Sequence, residues 1–200
     1  MVDKNFILKI RQFALDNSEQ DDIHGFLHVE RVLNLCLKLG KKLDANLLVL
    51  EIAALLHDIG RKYKDKKNIN KKHAELSAEM ASKFLTAHDF KLSQDSLDNI
   101  NHCIRTHSFS NNMKPQTLEA KILSDADKID ALGAIGLYRT IGFTITNKGG
   151  IDQVIQHLEN KILKLRELLY LDLSKKIAEA KQQIIVDFYQ KIKEEIMGLY

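Results

Sequence analysis

His57 and Asp58 close the segment NLLVLEIAALLHDIG (46–60), which is apolar on nearly every helical face. An ionised carboxylate is costly to bury unless a cation or hydrogen-bond donors compensate it. A neighbouring His and Asp at a helix end can both turn toward one cation, and the nitrogen–oxygen donor pair suits Mn, Fe, Co, Ni or Zn as a divalent ion. The competing reading is an ordinary helix C-terminus, where His favours the dipole. Two further segments weigh against it. His28 lies in HGFLHVERV (24–32), with Arg31 three residues on and on the same face. Asp127 lies in SDADKID (124–130), on a stripe formed by Ile122, Leu123, Ala126 and Ile129. Two imidazoles and two carboxylates thus come from three otherwise hydrophobic helices, the way helical folds build metal sites.

The elements that must carry these residues are helices. One proline and nine glycines punctuate 200 residues, too few for a many-turned β-fold. Phe6, Ile7, Ile10, Phe13 and Ala14 predict a helix over 4–16. A second is expected from about His24 to Lys41, ending near Gly40. A third begins after Asp44 as N-cap and ends at Gly60. Further helices are expected over 72–87 and 93–106, and from Thr117 to Thr140 with a break near Gly133 or Gly136. The region 151–198 reads as two helices broken near Leu173–Ser174, and Phe143–Ile145 is the only strand candidate. The expected fold is an all-α helical bundle and a single domain over 1–200, with a core at about 20–145 and C-terminal helices packed on it. Leu158, Ile162, Leu165, Leu168 and Leu169 would serve that packing or a homodimer contact.

The order H…HD…D, with HxxRV around His28 and AALLHDIG around His57, resembles the HD-domain phosphohydrolases over roughly residues 20–145. HSFS (107–110), TLEAKILSDADKIDALGAIGLYRT (117–140) and the late GG (149–150) are similar to a subgroup of small bacterial and archaeal HD proteins. Some members of that subgroup are nucleoside triphosphate pyrophosphohydrolases. The resemblance implies an HD-domain-like bundle and a divalent metal ion (Mn, Fe, Ni, Co, Zn or Mg) held by His28, His57, Asp58 and Asp127. It also implies hydrolysis in which hydroxide, generated at the ion, attacks phosphorus in line with the leaving oxygen. Arg31, Lys128 and, less well placed inside a basic run, Arg61 could neutralise charge on the phosphate. HD proteins with two metals look similar around His73 (HAELSA, 73–78) and His107. The resemblance therefore extends to a second ion on those histidines with Asp58 as the bridge, and without a second ion it leaves His107 to contact substrate. His102 lies five residues from His107, about 140° around a helix, so the two do not share an ion. Asp130 could orient a ligand histidine or a nucleotide hydroxyl. His24 reads as a helix-entry residue, and His88 and His157 as surface residues.

The bulk properties narrow the function further. A net charge of +3 suits an anionic small molecule and weak nucleic-acid contact equally, and so does not separate them. The lysine-rich run 61–72 reads as a solvated loop or as a positive lip that attracts phosphate. Its only aromatic residue is Tyr63, so it lacks the stacking platform of a single-strand nucleic-acid binder. Cys36 and Cys103 lie far apart in apolar patterns with no CxxC spacing, which predicts reduced, buried thiols. No leader pattern and no apolar run of membrane-spanning length is present, so a cytoplasmic protein is expected. A nucleotide phosphohydrolase leads. A two-metal phosphodiesterase or dinucleotide hydrolase and a nucleotide-sensing binding module are the alternatives.

Overall fold

The computed structural model describes residues 4–64, 71–88, 90–108 and 111–199. Every regular element among them is helical. The chain forms two compact units, residues 1–127 and 128–200.

The first unit is organised around α3 (Leu47–Leu56), against which α1 (Lys4–Asp16), α2 (Phe26–Leu43), α5 (His73–Ala87) and α6 (Gln94–Thr106) pack. Seven of the ten residues of α3 are buried, from Val49 through Leu56 with Glu51 excepted. Each large aliphatic side chain removed from water in this way contributes about 1.5–3 kcal/mol, so this helix is the least free to move. Asn46, not Asp44, caps it, accepting from the Val49 N–H at 3.2 Å. Asp44 instead ends α2 in the left-handed conformation (φ 54°, ψ 40°), its N–H bonded to the Gly40 carbonyl. The second helix thus runs past Gly40, which is buried within it.

Past Leu56 the chain makes a tight turn, 57–60, into the short α4 (Arg61–Lys64). Gly60 lets this turn lie directly on α5. A Cβ there would stand 2.6 Å from the Ser77 nitrogen and 2.8 Å from the His73 oxygen, both backbone atoms. The Gly60 N–H donates to Ser77 Oγ at 2.9 Å, closing the contact. Lys62 Nζ donates to the Asp16 carbonyl and the Tyr63 hydroxyl to Asn17 Oδ1, both at 2.8 Å, so α4 is also tied to the end of α1. Residues 65–70 of the basic run, and with them its reading as a loop or lip, lie outside the described residues. α5 and α6 are joined by Arg105 to Glu75 (3.0 Å) and Ser82 to Asn101 (2.6 Å). Ser93 caps α6, and Thr117 accepts from the Ala120 N–H at the start of α7 (Leu118–Asp130).

The second unit contains α8 (Gly133–Thr146), α9 (Ile151–Asn160), a 3-10 helix (Ile162–Leu168) and α10 (Asp172–Ile196). The break falls at Gly133, whose φ of +75° is open to glycine without strain. Phe143–Ile145 lies inside α8 and is not a strand, because the flanking residues continue the helical hydrogen bonding. The expected break near Leu173 falls earlier, at Lys161 and at 169–171. Leu158, Ile162, Leu165 and Leu169 are buried among α9, the 3-10 helix and α10, leaving only Leu168 exposed. Four of the five residues of that stripe are thus covered inside the unit. No described helix is long and apolar enough to cross a membrane. Both cysteines are buried and unbridged, and burial pushes their thiols up in pKa.

The Gly60 contact makes a prediction. Gly60→Ala forces backbone apart on both sides and is expected to cost about 1–3 kcal/mol, as overpacking does. Chemical denaturation of the variant checks this, and an unchanged midpoint contradicts the packing described.

Candidate metal centre

His57 and His107 occupy equivalent places in their helices. Each is the C-cap residue, of α3 and of α6, with helical backbone angles (φ −63° in both). Each turns its Nδ1 onto the carbonyl three residues back: His57 on Ala54 at 2.7 Å, His107 on Ile104 at 2.6 Å. A carbonyl only accepts, so Nδ1 carries the proton, and in the neutral ring the Nε2 lone pair points away from the helix. The Ser124 hydroxyl, from α7, donates to the His107 carbonyl at 3.1 Å.

Those Nε2 atoms face Asp58, which the Gly60 turn holds almost completely buried. His28, on the first turns of α2, and His73, at the start of α5, complete the ring of donors. Asp58 divides them. Its Oδ2 lies 3.8 Å from His28 Nε2 and 3.9 Å from His57 Nε2. Its Oδ1 lies 3.4 Å from His73 Nε2 and 3.5 Å from His107 Nε2. Across the first set the two Nε2 atoms are 3.4 Å apart, and across the second also 3.4 Å. Asp127 joins the first set, with Oδ1 3.4 Å from His28 Nε2. Among the described residues, two groups of side chains could therefore hold a metal ion, His28–His57–Asp58 and Asp58–His73–His107, with the ligand atoms of each group within 4.8 Å of one another.

The protonation states suit that use. Burial pushes His57 down to about 4, outweighing the opposing pull of Asp58. Burial likewise pushes His73 down to about 3 against the same carboxylate. Both rings are neutral at pH 7 and offer lone pairs. Burial raises the Asp58 and Asp127 carboxyls, but the Arg61 guanidinium beside Asp58 and the hydrogen bond from His28 to Asp127 outweigh it and hold both well below the usual range. Lone pairs aimed at a buried carboxylate repel it unless positive charge lies between them. Imidazole nitrogen with carboxylate oxygen is a donor set that first-row divalent ions satisfy, so the residues present fit such an ion.

The remaining sequence-selected residues are distributed as follows. Arg61, ranked in the sequence behind Arg31 and Lys128, is the cation against Asp58: Nε donates to Oδ2 at 2.9 Å and Nη2 to Oδ1 at 3.3 Å. Arg31 is half-buried, one turn along α2 from His28. Lys128 is buried in the second unit with its ammonium 5.3 Å from the centre of the Tyr170 ring. Asp130 is taken by Arg139 at 2.7 Å in the second unit. His102 accepts the Gln116 N–H at 2.9 Å, a loop contact. His88 is exposed and stacks on Phe90, and His157 is half-buried, 3.5 Å from the Thr144 hydroxyl.

Comparison with known proteins points the same way. The HD domain family model matches residues 25–132. The uncharacterized protein YpgQ of Bacillus subtilis is 27% identical over 199 residues, covering 95% of this chain and 91% of YpgQ. The crystal structure of YpgQ in complex with ADP matches at TM-score 0.79 and 26% identity, over 100% of this chain and 99% of that one. An HD-superfamily hydrolase of Bacillus thuringiensis matches at TM-score 0.72 and 25% identity, over 96% and 97% of the two chains. A predicted HD superfamily hydrolase from an uncultured Thermotogales bacterium matches at TM-score 0.68 and 26% identity, over 96% and 92%.

The two donor groups predict a stoichiometry. Elemental analysis after loading with Mn²⁺ is expected to give roughly two ions per chain in the wild type and roughly one in His107→Ala, as for a carboxylate-bridged pair. A single ion in both proteins removes the second group from the account.

Proposed function

Since the chain belongs to the HD-domain superfamily, whose model matches more than half of it, we propose that it is a metal-dependent phosphohydrolase acting on a nucleotide or a related phosphate ester or anhydride. The observation that carries this reading is the division of Asp58, one oxygen facing His28 and His57 and the other His73 and His107. The nucleotide is supported by YpgQ, which is similar along its whole length and has been crystallised with ADP.

His28, His57, Asp58 and Asp127 would hold one divalent ion, and His73 and His107 would hold a second through the shared Asp58. An ion so held lowers the pKa of water toward neutrality and polarises a phosphoryl oxygen. The chain's own groups supply the conditions for that chemistry. Ala54 and Ile104 fix the tautomers of His57 and His107, so no ligand must reorganise as charge develops. Burial keeps His57 and His73 neutral, and the Arg61 guanidinium beside Asp58 and the hydrogen bond from His28 to Asp127 hold those carboxyls well below the usual range. Among the basic residues considered for the phosphate, Arg61 is the one hydrogen-bonded to Asp58 in the distances given above. Arg31 and Lys128 keep that role by sequence proximity alone.

A second reading, hydrolysis of a phosphodiester or dinucleotide, is favoured by the sharing of Asp58 between two donor groups, because two bridged ions can hold both the attacking and the leaving oxygen.

Phosphorus NMR of reaction mixtures separates the two readings. With Mn²⁺ or Co²⁺ the protein is expected to hydrolyse nucleoside phosphates, and His57→Ala and Asp58→Asn to fall to the uncatalysed background. Cleavage of cyclic or dinucleotide diesters alone selects the second reading. No turnover of any phosphate by the metal-loaded protein contradicts both and leaves a nucleotide-binding module.

A further inference from the structure

The buried face of α5 is narrow: His73, Ala74, Ser77, Ala78, Ala81 and Leu85. Alanines let a neighbouring backbone approach closely, but such short side chains make shallow ridges that interlock weakly with it. His73 and Ser77 are the two polar members of this face, one helical turn apart, and both meet the turn 57–60. His73 Nε2 stands 3.4 Å from Asp58 Oδ1. Ser77 Oγ, fully buried, accepts the Gly60 N–H at 2.9 Å.

That bond lies where two backbones nearly touch. Gly60 is buried, and a Cβ on it would stand 2.6 Å from the Ser77 nitrogen and 2.8 Å from the His73 oxygen. A contact this close leaves no room for a water, whose share of liquid volume is about 30 Å³. Without the Ser77 hydroxyl the buried Gly60 N–H loses its acceptor, and admitting a water in its place moves α5 off the turn.

Such a movement is felt unequally by the two donor groups. α5 carries His73, and it is joined to α6, which ends at His107, through Arg105 on Glu75 at 3.0 Å and Ser82 on Asn101 at 2.6 Å. His28 and His57 come instead from α2 and the end of α3. We propose that Ser77 is a positioning residue: its hydroxyl, by holding α5 against the Gly60 turn, keeps His73 at its distance from Asp58 and so governs a second ion and not the first. The inference deepens the two-ion form of the proposed function and rests on it.

Mn²⁺ titration of the folded chain, followed by the electron paramagnetic resonance signal of free Mn²⁺, gives the number and affinity of bound ions without turnover. Two ions sharing a carboxylate also give a spin-coupled spectrum that an isolated ion does not. Ser77→Ala is expected to bind the first ion as the wild type does and the second roughly 10–100-fold more weakly, the loss that follows an unsatisfied buried donor. Its coupled spectrum is expected to fade at equal loading. Ser77→Cys, close in size but a weak acceptor, is expected to fall between, and it carries the comparison if the alanine variant does not fold. Ala78→Gly loosens the same face of α5 without removing an acceptor from the Gly60 N–H. It is expected to unfold at lower denaturant yet keep both ions. Wild-type affinity for the second ion in the Ser77 variants overturns the proposal. So does an equal weakening of both ions, or the same loss in Ala78→Gly, since either reports a general loosening. A wild type that takes up a single ion fails the two-ion reading itself, and the role of Ser77 falls with it.

Discussion

A carboxylate buried to within a few per cent, with four imidazole nitrogens 3.4–3.9 Å from its oxygens, is the constraint around which the first unit is built. Charge in such a place is tolerated only when cations or donors answer it. Four helices and a turn each deliver one part of that answer. α3 is too apolar to sit anywhere but the centre, so the turn that follows it carries His57 and Asp58 into the interior. Gly60, by admitting the α5 backbone to near contact, brings His73 beside them. α2 and α6, both packed on α3, supply His28 and His107.

Much of this was legible in the sequence, because the candidate ligand residues are polar interruptions of apolar patterns. His57-Asp58 breaks an otherwise hydrophobic helix, and His28 and Asp127 sit on or beside core-facing stripes. The grouping was less legible. His73 and His107 are separated from Asp58 by the basic run and by a helix, and nothing in their spacing says which carboxylate oxygen each will meet. The contact of Arg61 with Asp58 was not legible for a related reason. A run of lysines predicts solvation as a block, yet the first residue of the run is tied back to the turn before it, through its N–H on the Asp58 carbonyl and its side chain on the Asp58 carboxylate.

The misplaced elements have local causes. Asp44 and Asn46 are both good capping residues, two positions apart. The left-handed turn that ends α2 uses Asp44, leaving Asn46 to begin α3. Phe143–Ile145 carries β-branched and aromatic residues, but the helix around it continues through them, so context overrides propensity. The leucine stripe of 158–169 was ambiguous between an internal and an external partner, since periodicity reports that a face is buried and not against what. A short 3-10 helix between α9 and α10 resolves it, turning the chain so that the stripe is covered within its own unit.

The central claim is that Asp58 is a shared ligand whose two oxygens serve separate imidazole pairs. Anomalous X-ray scattering at the manganese edge, from crystals grown with Mn²⁺, tests it most directly. The account predicts two peaks flanking the Asp58 carboxylate, one between His28 and His57 and the other between His73 and His107. Manganese bound elsewhere, with no peak in reach of Asp58, would contradict it.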